Sequence, residues 1–430
     1  MRAAAERPYT LVCRVCGGRY EDDGLVLSCQ ASHADALLAT EYPARVRVDE
    51  HVMGGLFQYR NWLPVRRVVA GAGAPVVLPG GALGTRLGLT DLWISFSGYW
   101  PEIGANLRTG TFKELEAYTV LGRLPDQPPV LVVASAGNTA AAFAMACGQN
   151  GVRCVLVVPG SALDKLRLPM EWAECVSLVV LDGGCYRDAI EFASALAALP
   201  GFHAEGGFRN VARRDGLGTV MLAAYDAMGG LPDYYFQAVG SGAGAIGAYE
   251  NALRLGKHED AGPPPRIVMC QNLPYAPIHR AWTGLRSSGA DRDLIAPELA
   301  NATPPYAIAG GVRECLTASG GDVLAAGNAE TLDAMRLFEA TLGIDIEPSA
   351  GVALAALRTA ADSGMVPGDA KILLNVTGGG RARSARDLTL VPAERMVRLP
   401  VPRRREFPGT DEVQRVLTAM ERGAEHAVAR

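Results

Sequence analysis

Short runs of apolar residues recur along this chain from about residue 46, and most of them lead into glycine-rich or serine-rich turns. These runs are rich in Val, Ile and Leu and lack polar alternation, so we expect strands that are buried on both faces, as in parallel sheets covered by helices. The predicted strands span residues 129–134, 152–159, 177–181, 234–239, 266–270 and 371–376. Because helix-like stretches separate them, the pattern predicts a doubly wound α/β fold.

Three of these strands run directly into turns made of small and hydroxylated residues. The turns span residues 135–138, 241–244 and 377–380. In open α/β sheets, ligands bind at the carboxyl ends of the strands. We therefore expect the three turns to face one cleft.

The two ends of the chain differ from its middle. Residues 1–45 hold three of the nine cysteines among polar and turn-forming residues, which predicts a small appended module. Residues 391–430 form a charged extension, and the amphipathic stretch 411–422 within it predicts a peripheral helix. The total length of 430 residues suggests two domains besides these ends.

The composition indicates which functions are not expected of this chain. Apolar residues make up 49% of it, charged residues 20%, and the formal net charge is −4, which is typical of a globular enzyme. This charge gives no reason to expect binding to nucleic acid or to an anionic membrane surface. No uncharged apolar stretch reaches the length of about 18 residues that a membrane-spanning helix needs. The cysteines mostly stand alone among apolar residues, so we expect a reducing, cytoplasmic setting.

The segment Thr109-Gly110-Thr111-Phe112-Lys113-Glu114 offers a lysine behind a tight turn. A lysine amine that is kept partly neutral can form a covalent bond with a carbonyl carbon. A solvated surface lysine would give the same local pattern, so the motif needs support from the rest of the chain.

Two turns between a strand and a helix supply that support. Ser135-Ala136-Gly137-Asn138-Thr139 precedes an alanine-rich helix, whose free backbone amides suit a carboxylate, although a plain helix cap would look similar. The run from Gly240 to Ala245, which reads G-S-G-A-G-A, lets backbone amides approach a phosphate closely. Its spacing is neither the G-x-G-x-x-G of dinucleotide sites nor a nucleotide P-loop.

A fourth turn, Thr377-Gly378-Gly379-Gly380, follows the last predicted strand. A neutral threonine hydroxyl there could face the nitrogen of a flat ring, which would favour elimination and replacement chemistry over transamination. A flexible turn is the simpler alternative.

The order and spacing of the four motifs resemble the fold-type-II pyridoxal-phosphate enzymes, the tryptophan synthase β-like group. T-G-T-F-K-E is similar to the T-G-S-F-K-D of threonine synthases. Further segments look closer to the cysteate synthase family, namely residues 57–64, 98–102, 112–117, 205–207, 210–216 and 271–274. The resemblance spans about residues 9–385. Because Thr109-Gly110-Thr111 is nearer the threonine synthase pattern, it leaves the substrate pair open.

The resemblance implies a role for each motif. Lys113 would be the catalytic residue and would hold pyridoxal 5'-phosphate as a Schiff base, Asn138 would bond the ring oxygen, and Thr377 would meet the ring nitrogen. The cofactor's phosphate would lie on Gly240, Ser241, Gly242, Ala243, Gly244 and Ala245. The substrate would be bound by Ser135, Gly137 and Thr139 through its carboxylate. Because the leaving group and the nucleophile of the expected reaction are oxyanions, Arg108, Arg213 and Arg214 are candidates to bind them, with surface ion pairs as the alternative.

The resemblance also implies an architecture and an activity. The cofactor would lie between a large domain, residues 46–110 and 233–390, and a small mobile domain, residues 111–232, in a homo-oligomer. The expected reaction is a β-replacement that converts O-phospho-L-serine and sulfite to L-cysteate and phosphate. Threonine synthesis from O-phospho-L-homoserine, a β-replacement with another nucleophile, and a regulatory protein that binds the cofactor without turnover are the alternatives.

A zinc-ribbon-like site is the last prediction. Cys13, Cys16, Cys29 and His33 could supply three thiolates and one imidazole to a structural zinc ion. Four reduced side chains that simply pack together are the alternative. No other cluster of His, Cys and Asp suggests a catalytic metal.

Overall fold

The structure is a computed structural model, and it describes residues 9–43, 55–285, 294–401 and 408–428. The predicted boundary between residues 45 and 46 lies outside these ranges.

The strands alternate with helices along most of the chain, as the apolar pattern predicts. In chain order they are β1 (Thr10–Cys13), β2 (Arg19–Tyr20), β3 (Leu38–Glu41), β4 (Val76–Pro79), β5 (Asp91–Phe96), β6 (Tyr99–Trp100), β7 (Ala105–Asn106), β8 (Val130–Ala134), β9 (Cys154–Pro159), β10 (Arg167–Leu168), β11 (Val176–Asp182), β12 (Phe202–Ala204), β13 (Tyr234–Ala238), β14 (Arg266–Asn272), β15 (Asp322–Ala326), β16 (Lys371–Val376), β17 (Val391–Pro392) and β18 (Val397–Pro400).

The α-helices are α1 (Gly81–Leu87), α2 (Lys113–Arg123), α3 (Asn138–Asn150), α4 (Tyr186–Ala197), α5 (Val211–Met228), α6 (Ala243–His258), α7 (Pro277–Thr283), α8 (Val312–Ser319), α9 (Asn328–Leu342), α10 (Pro348–Asp362), α11 (Arg381–Asp387) and α12 (Thr410–Val428). Short 3-10 turns occur at Leu56–Trp62, Pro101–Ile103, Gly160–Lys165, Gly207–Arg209 and Pro297–Leu299. Helix α12 contains the amphipathic stretch for which a helix is predicted.

Two sheets form the centre of the molecule, and both are mainly parallel. The larger has the strand order β15-β14-β13-β16-β5-β4, with β4 antiparallel at its edge. The smaller has the order β12-β8-β9-β11-β18, and its strands are all parallel. All six strands predicted from the apolar runs are present in these sheets. The C-terminal strand β18 also joins the smaller sheet, although it belongs to the segment predicted as an extension.

Each sheet is covered on both faces, which is why its strands are apolar throughout. On β13, Tyr235 points into a core shared with helices α2, α3, α5 and α6, while its neighbour Phe236 packs into a second core beneath α9 and α10. A third core lies on the far face of the smaller sheet, beneath α4 and α12. The domain limits at residues 110, 232 and 390 stay a prediction.

Helices α5 and α6 approach each other unusually closely, and glycine makes this possible. A Cβ added to Gly247 would lie 2.0 Å from the carbonyl oxygen of Arg214, and one added to Gly218 would lie 2.4 Å from the carbonyl oxygen of Gly247. No larger residue fits at this crossing. It fixes the start of α6 relative to α5, and both helix starts contribute to the site described below.

The N-terminal segment forms a small three-stranded antiparallel sheet, β2-β1-β3, which docks on these helices. Thr40 and Tyr42 both donate to the carboxylate of Asp215 on α5, and Arg14 pairs with Glu250 on α6 at 3.0 Å. Residues 9–43 thus contain a small sheet of their own, and the predicted limits of the module, 1–45, stay a prediction. Among the described residues, no helix is both long and apolar enough to cross a membrane.

Candidate active site and a second cluster in the N-terminal module

The predicted turns meet at one cavity between the two sheets. Its lining includes Lys113, residues 135–139 from the end of β8, residues 240–244 from the end of β13, and Thr377 from the end of β16. The prediction that these turns face one cleft is confirmed. Ala245 follows on the first turn of α6 and is fully buried.

Backbone hydrogen bonds join the lysine loop to the turn after β16. Phe112 N donates to the carbonyl of Thr377 at 2.9 Å, and Gly379 N donates to the carbonyl of Gly110 at 3.0 Å. A Cβ on Gly378 would lie 2.9 Å from the carbonyl oxygen of Gly110, so the glycines after Thr377 allow this approach. The contact brings Lys113 and Thr377 to the same cavity from positions far apart in the sequence.

Glu114 fixes the loop in front of the lysine. Its buried Oε1 accepts from the backbone N–H and the hydroxyl of Thr109, at 2.5 and 2.8 Å. Burial raises the pKa of the Glu114 carboxyl to about 8, because it outweighs the hydrogen bonds from Thr109, which act to lower that pKa. This carboxyl therefore holds the turn that precedes Lys113.

Lys113 opens α2, and its side chain is 26% exposed. Burial lowers the pKa of its amine, and the carboxylate of Glu116, 3.4 Å away, works in the opposite direction. A lowered pKa makes more of the neutral amine available for covalent chemistry near neutral pH.

The Ser135–Thr139 turn caps α3 and faces the cavity. The hydroxyl of Ser135 accepts from the backbone amides of Gly137 and Ala140, at 3.0 and 2.9 Å. Gly137 has φ 138°, in the region that favours glycine. Asn138 donates to Glu347 at 3.0 Å and accepts from Arg381 at 3.2 Å, so its amide is held at both ends.

The glycine-rich turn after β13 forms a tight cradle at the start of α6. Gly242 has φ 81°, and a Cβ on Gly244 would lie 2.7 Å from the side-chain nitrogen Nε2 of Gln237. The amides at the start of this 16-residue helix point toward the cavity end, where a helix attracts anions. Thr111 adds a buried hydroxyl with no hydrogen-bond partner among the described residues. These donors, with Lys113, fit a phosphorylated aldehyde cofactor.

The structure separates the three predicted oxyanion-binding arginines. Arg213 lines the cavity, where it contacts the carboxylates of Glu116 and Glu205. Arg214, the next residue on α5, points toward the N-terminal module, where it donates to the carbonyl of Leu38, and it also donates to the carbonyl of Phe208. Arg108 donates to the carbonyl of Pro169. Adjacent helical residues face different directions, which explains why Arg213 and Arg214 do not share a site.

Several residues in or behind the cavity lining were not predicted from the sequence. Tyr186, Glu298 and Glu347 line the cavity. Behind the lining, Glu116 contacts Thr139, Arg381 contacts Asn138, and Lys165 lies beside Gly137 and pairs with Glu298 at 2.8 Å. The spacing of Lys113 and Glu116 is three residues, and on a helix this spacing alone places both on one face. No comparable local signal exists for the others.

The four predicted metal ligands lie together in the N-terminal module. The sulfur atoms of Cys13, Cys16 and Cys29 and a ring nitrogen of His33 all lie within 4.8 Å of one another. His33 Nδ1 contacts the carbonyl of Ala34 at 2.6 Å, which leaves Nε2 facing the thiols. This donor set fits a tetrahedral zinc ion.

Comparison with known proteins agrees with this geometry. The family described as pyridoxal-phosphate dependent enzyme matches residues 104–378. The cysteate synthase of Methanoregula boonei is 46% identical over 399 residues, covering 90% of this chain and 93% of that protein. The cysteate synthase of Methanospirillum hungatei JF-1 is 43% identical over 392 residues, covering 88% of this chain and 92% of that protein.

Solved structures give the same fold at lower identity. The processed threonine deaminase isoform 2 of Solanum lycopersicum superposes with a TM-score of 0.58 and 18% identity, over 81% of this chain and 97% of that one. Maize serine racemase superposes with a TM-score of 0.54 and 18% identity, over 70% of this chain and 87% of that one.

Proposed function

Since the chain belongs to the pyridoxal-phosphate dependent enzymes and, among them, to the cysteate synthases, we propose that it makes L-cysteate from O-phospho-L-serine and sulfite, releasing phosphate. The observation that carries the proposal is the cavity in which Lys113, the glycine cradle and Arg213 lie together, since it offers a covalent attachment point, a phosphate site and a cation.

Each group of the cavity has a place in this reaction. The amides of residues 240–245 would hold the cofactor's phosphate, Asn138 its ring oxygen and Thr377 its ring nitrogen, while Lys113 would hold it covalently. When bound, pyridoxal phosphate supplies an electron sink for the charge that remains when the α-proton leaves.

The protein's own groups carry the remaining work. The turn that holds Ser135, Gly137 and Thr139 would orient the substrate's carboxylate at the start of α3. Ser135 can donate its hydroxyl hydrogen there, because the amides of Gly137 and Ala140 use only its lone pairs. Once the substrate's amine has replaced it, the amine of Lys113 would take the α-proton as general base. Arg213 would donate hydrogen bonds to the departing phosphate and the entering sulfite, both of which are oxyanions, while its charge stays paired with Glu116 and Glu205.

Phosphate release from purified holoenzyme tests the proposed function. We expect release from O-phospho-L-serine only when sulfite is present, with L-cysteate as the product, and negligible release from O-phospho-L-homoserine. Sulfite-independent release from phosphohomoserine would make the protein a threonine synthase. Release from O-phospho-L-serine that requires a nucleophile other than sulfite would refute sulfite as the second substrate but keep O-phospho-L-serine as the first.

We also propose that the protein is cytoplasmic and assembles as a homo-oligomer. All nine cysteines lie within the described residues, and none forms a disulfide, which supports a reducing compartment. Most soluble oligomers are closed homo-oligomers, which makes identical subunits the expected form of any assembly. Sedimentation of the holoenzyme measures the assembly state directly.

The cysteine cluster leads to a prediction about metal content. We propose that it binds one structural zinc ion, so Cys16→Ser is expected to lose most of the zinc that the purified protein carries. Cys185→Ser is the matched control, because Cys185 is also an exposed free thiol but lies outside the cluster. Elemental analysis that finds equal zinc in both variants would refute the site.

A further inference from the structure

Glu116 lies behind the cavity lining, where helices α2, α3 and α5 meet. Its side chain is fully buried, and its carboxylate contacts side chains of α2, α3 and α5. Lys113 Nζ lies 3.4 Å from Oε2, while the hydroxyl of Thr139 and the guanidinium of Arg213 lie 2.8 and 3.0 Å from Oε1. One carboxylate therefore contacts the predicted catalytic lysine and two predicted substrate-binding residues.

The charges of this cluster balance only when Lys113 carries a proton. Arg213 contributes one positive charge, and it also pairs with the buried carboxylate of Glu205. Two carboxylates thus face one guanidinium, so one negative charge remains uncompensated. Buried charges are costly unless they are compensated. A proton on Lys113 Nζ supplies the missing positive charge.

We propose that Glu116 is the positioning residue that aims the Lys113 amine and stabilises the ammonium formed when Lys113 takes the substrate's α-proton. This inference rests on the proposed function and assigns a role in it to a residue outside the predicted site. When the α C–H bond breaks, its electron pair stays with the substrate and its proton becomes the third N–H of Lys113 Nζ. Glu116 Oε2 then accepts a hydrogen bond from that ammonium.

The surroundings of Lys113 explain why such a partner is needed. Burial favours the neutral amine, which alone would make Lys113 a weak base. Arg213 also disfavours a second positive charge, while Glu116 and, less strongly, Glu205 favour it. Tyr186, from α4, faces the same cluster and is neutral at physiological pH, since burial raises the pKa of its phenol. Glu116 is thus the carboxylate placed to raise the basicity of Lys113.

Glu116→Gln tests the inference, because the amide keeps the shape of the side chain and removes its charge. The pH dependence of the visible absorption of the lysine-bound cofactor reports the protonation of Lys113 nitrogen without any turnover. We expect its midpoint to fall by about one pH unit or more, a tenfold change in proton affinity. We also expect kcat to fall about 10- to 100-fold, with little change in the KM of O-phospho-L-serine.

Two matched variants distinguish an effect of the Glu116 charge on Lys113 from an effect of lost structure. Glu205→Gln removes the other buried carboxylate that pairs with Arg213 and should move the midpoint much less. Glu116→Asp keeps the charge on a shorter side chain, so its midpoint should stay near that of the wild type while kcat falls about tenfold. If Glu116→Gln does not fold, the Glu116→Asp result decides, and an unchanged kcat in that variant would overturn the inference.

The outcomes also distinguish this inference from the proposed function. A folded Glu116→Gln protein whose midpoint matches the wild type, or a Glu205→Gln protein that shows the full shift, would overturn the role of Glu116. Neither measurement needs a substrate. Absence of sulfite-dependent phosphate release from the wild type would instead count against the proposed reaction.

Discussion

Replacing Lys113 with alanine is expected to lower kcat/KM for O-phospho-L-serine and sulfite by about 10³-fold to 10⁴-fold. The reason is that one amine performs two tasks, since it attaches the cofactor and then acts as general base, and loss of a general base alone costs about 10²-fold to 10⁴-fold. The fold should remain, because the Lys113 side chain is 26% exposed and lies outside the hydrophobic cores.

Covalent labelling makes this prediction sharper than a rate measurement alone. Reduction of the holoenzyme with borohydride should fix the cofactor on the peptide that contains Lys113, and mass spectrometry should find no such adduct in the Lys113→Ala protein. Lys257→Ala is the control, since Lys257 lies exposed at the end of α6 and should change neither result. An adduct on another lysine, or a Lys113→Ala protein with wild-type kinetics, would contradict the assignment.

The sheets and the position of the cleft could be predicted because both depend on local patterns. A strand buried on two faces must be apolar throughout, and β13 and β16 show this in their sequences. Strand β18 was not predicted, since it lies at an edge, exposes Arg398 and ends in a proline. An edge strand needs no continuous apolar run, so the pattern that identifies central strands does not identify it.

The loops of the site could be predicted, whereas the contacts that hold their side chains could not. A glycine-rich turn after a strand is visible in a few residues, as at Gly240–Gly244. Asn138 and Glu347, by contrast, are 209 residues apart. They meet because the backbone N–H of Glu347, just before α10, donates to the carbonyl of Gly378 in the turn after β16, and this turn faces the same cavity as the turn after β8. Arg108 and Arg214 show the reverse case, since nearness to a motif in sequence did not bring them to the cavity.

The N-terminal module is tied to α2 by an ion pair that is almost completely buried. Asp22 and Arg123 have side-chain exposures of 2% and 1%, and both carboxylate oxygens of Asp22 accept from Arg123 at 2.7 Å. Arg123 also donates to Asn210 and to the carbonyl of Val26, while Tyr9 donates to Asp22. Removing one partner would leave the other charge buried and uncompensated.

Asp22→Asn is therefore expected to destabilise the docked module by about 3–5 kcal/mol, the usual cost of breaking a buried pair from one side. Hydrogen exchange of the β1 amides measures this local free energy, because β1 is the central strand of the module. Asp126→Asn is the matched control. Asp126 also pairs with an arginine, Arg67, but its side chain is 99% exposed, so no measurable change is expected.

The pH dependence of the same hydrogen-exchange experiment tests independently whether the charge of Asp22 stabilises the module. Burial raises the pKa of Asp22, but hydrogen bonds and charge from Arg123 outweigh it and hold that pKa below the ordinary value of 3.8. The pair should stabilise the module fully above about pH 4, and this stabilisation should be lost as the pH falls through the lowered pKa of Asp22. The difference between wild type and Asp22→Asn should shrink in the same range. A difference that stays constant down to pH 2 would mean that the variant acts through packing rather than through the charge of Asp22.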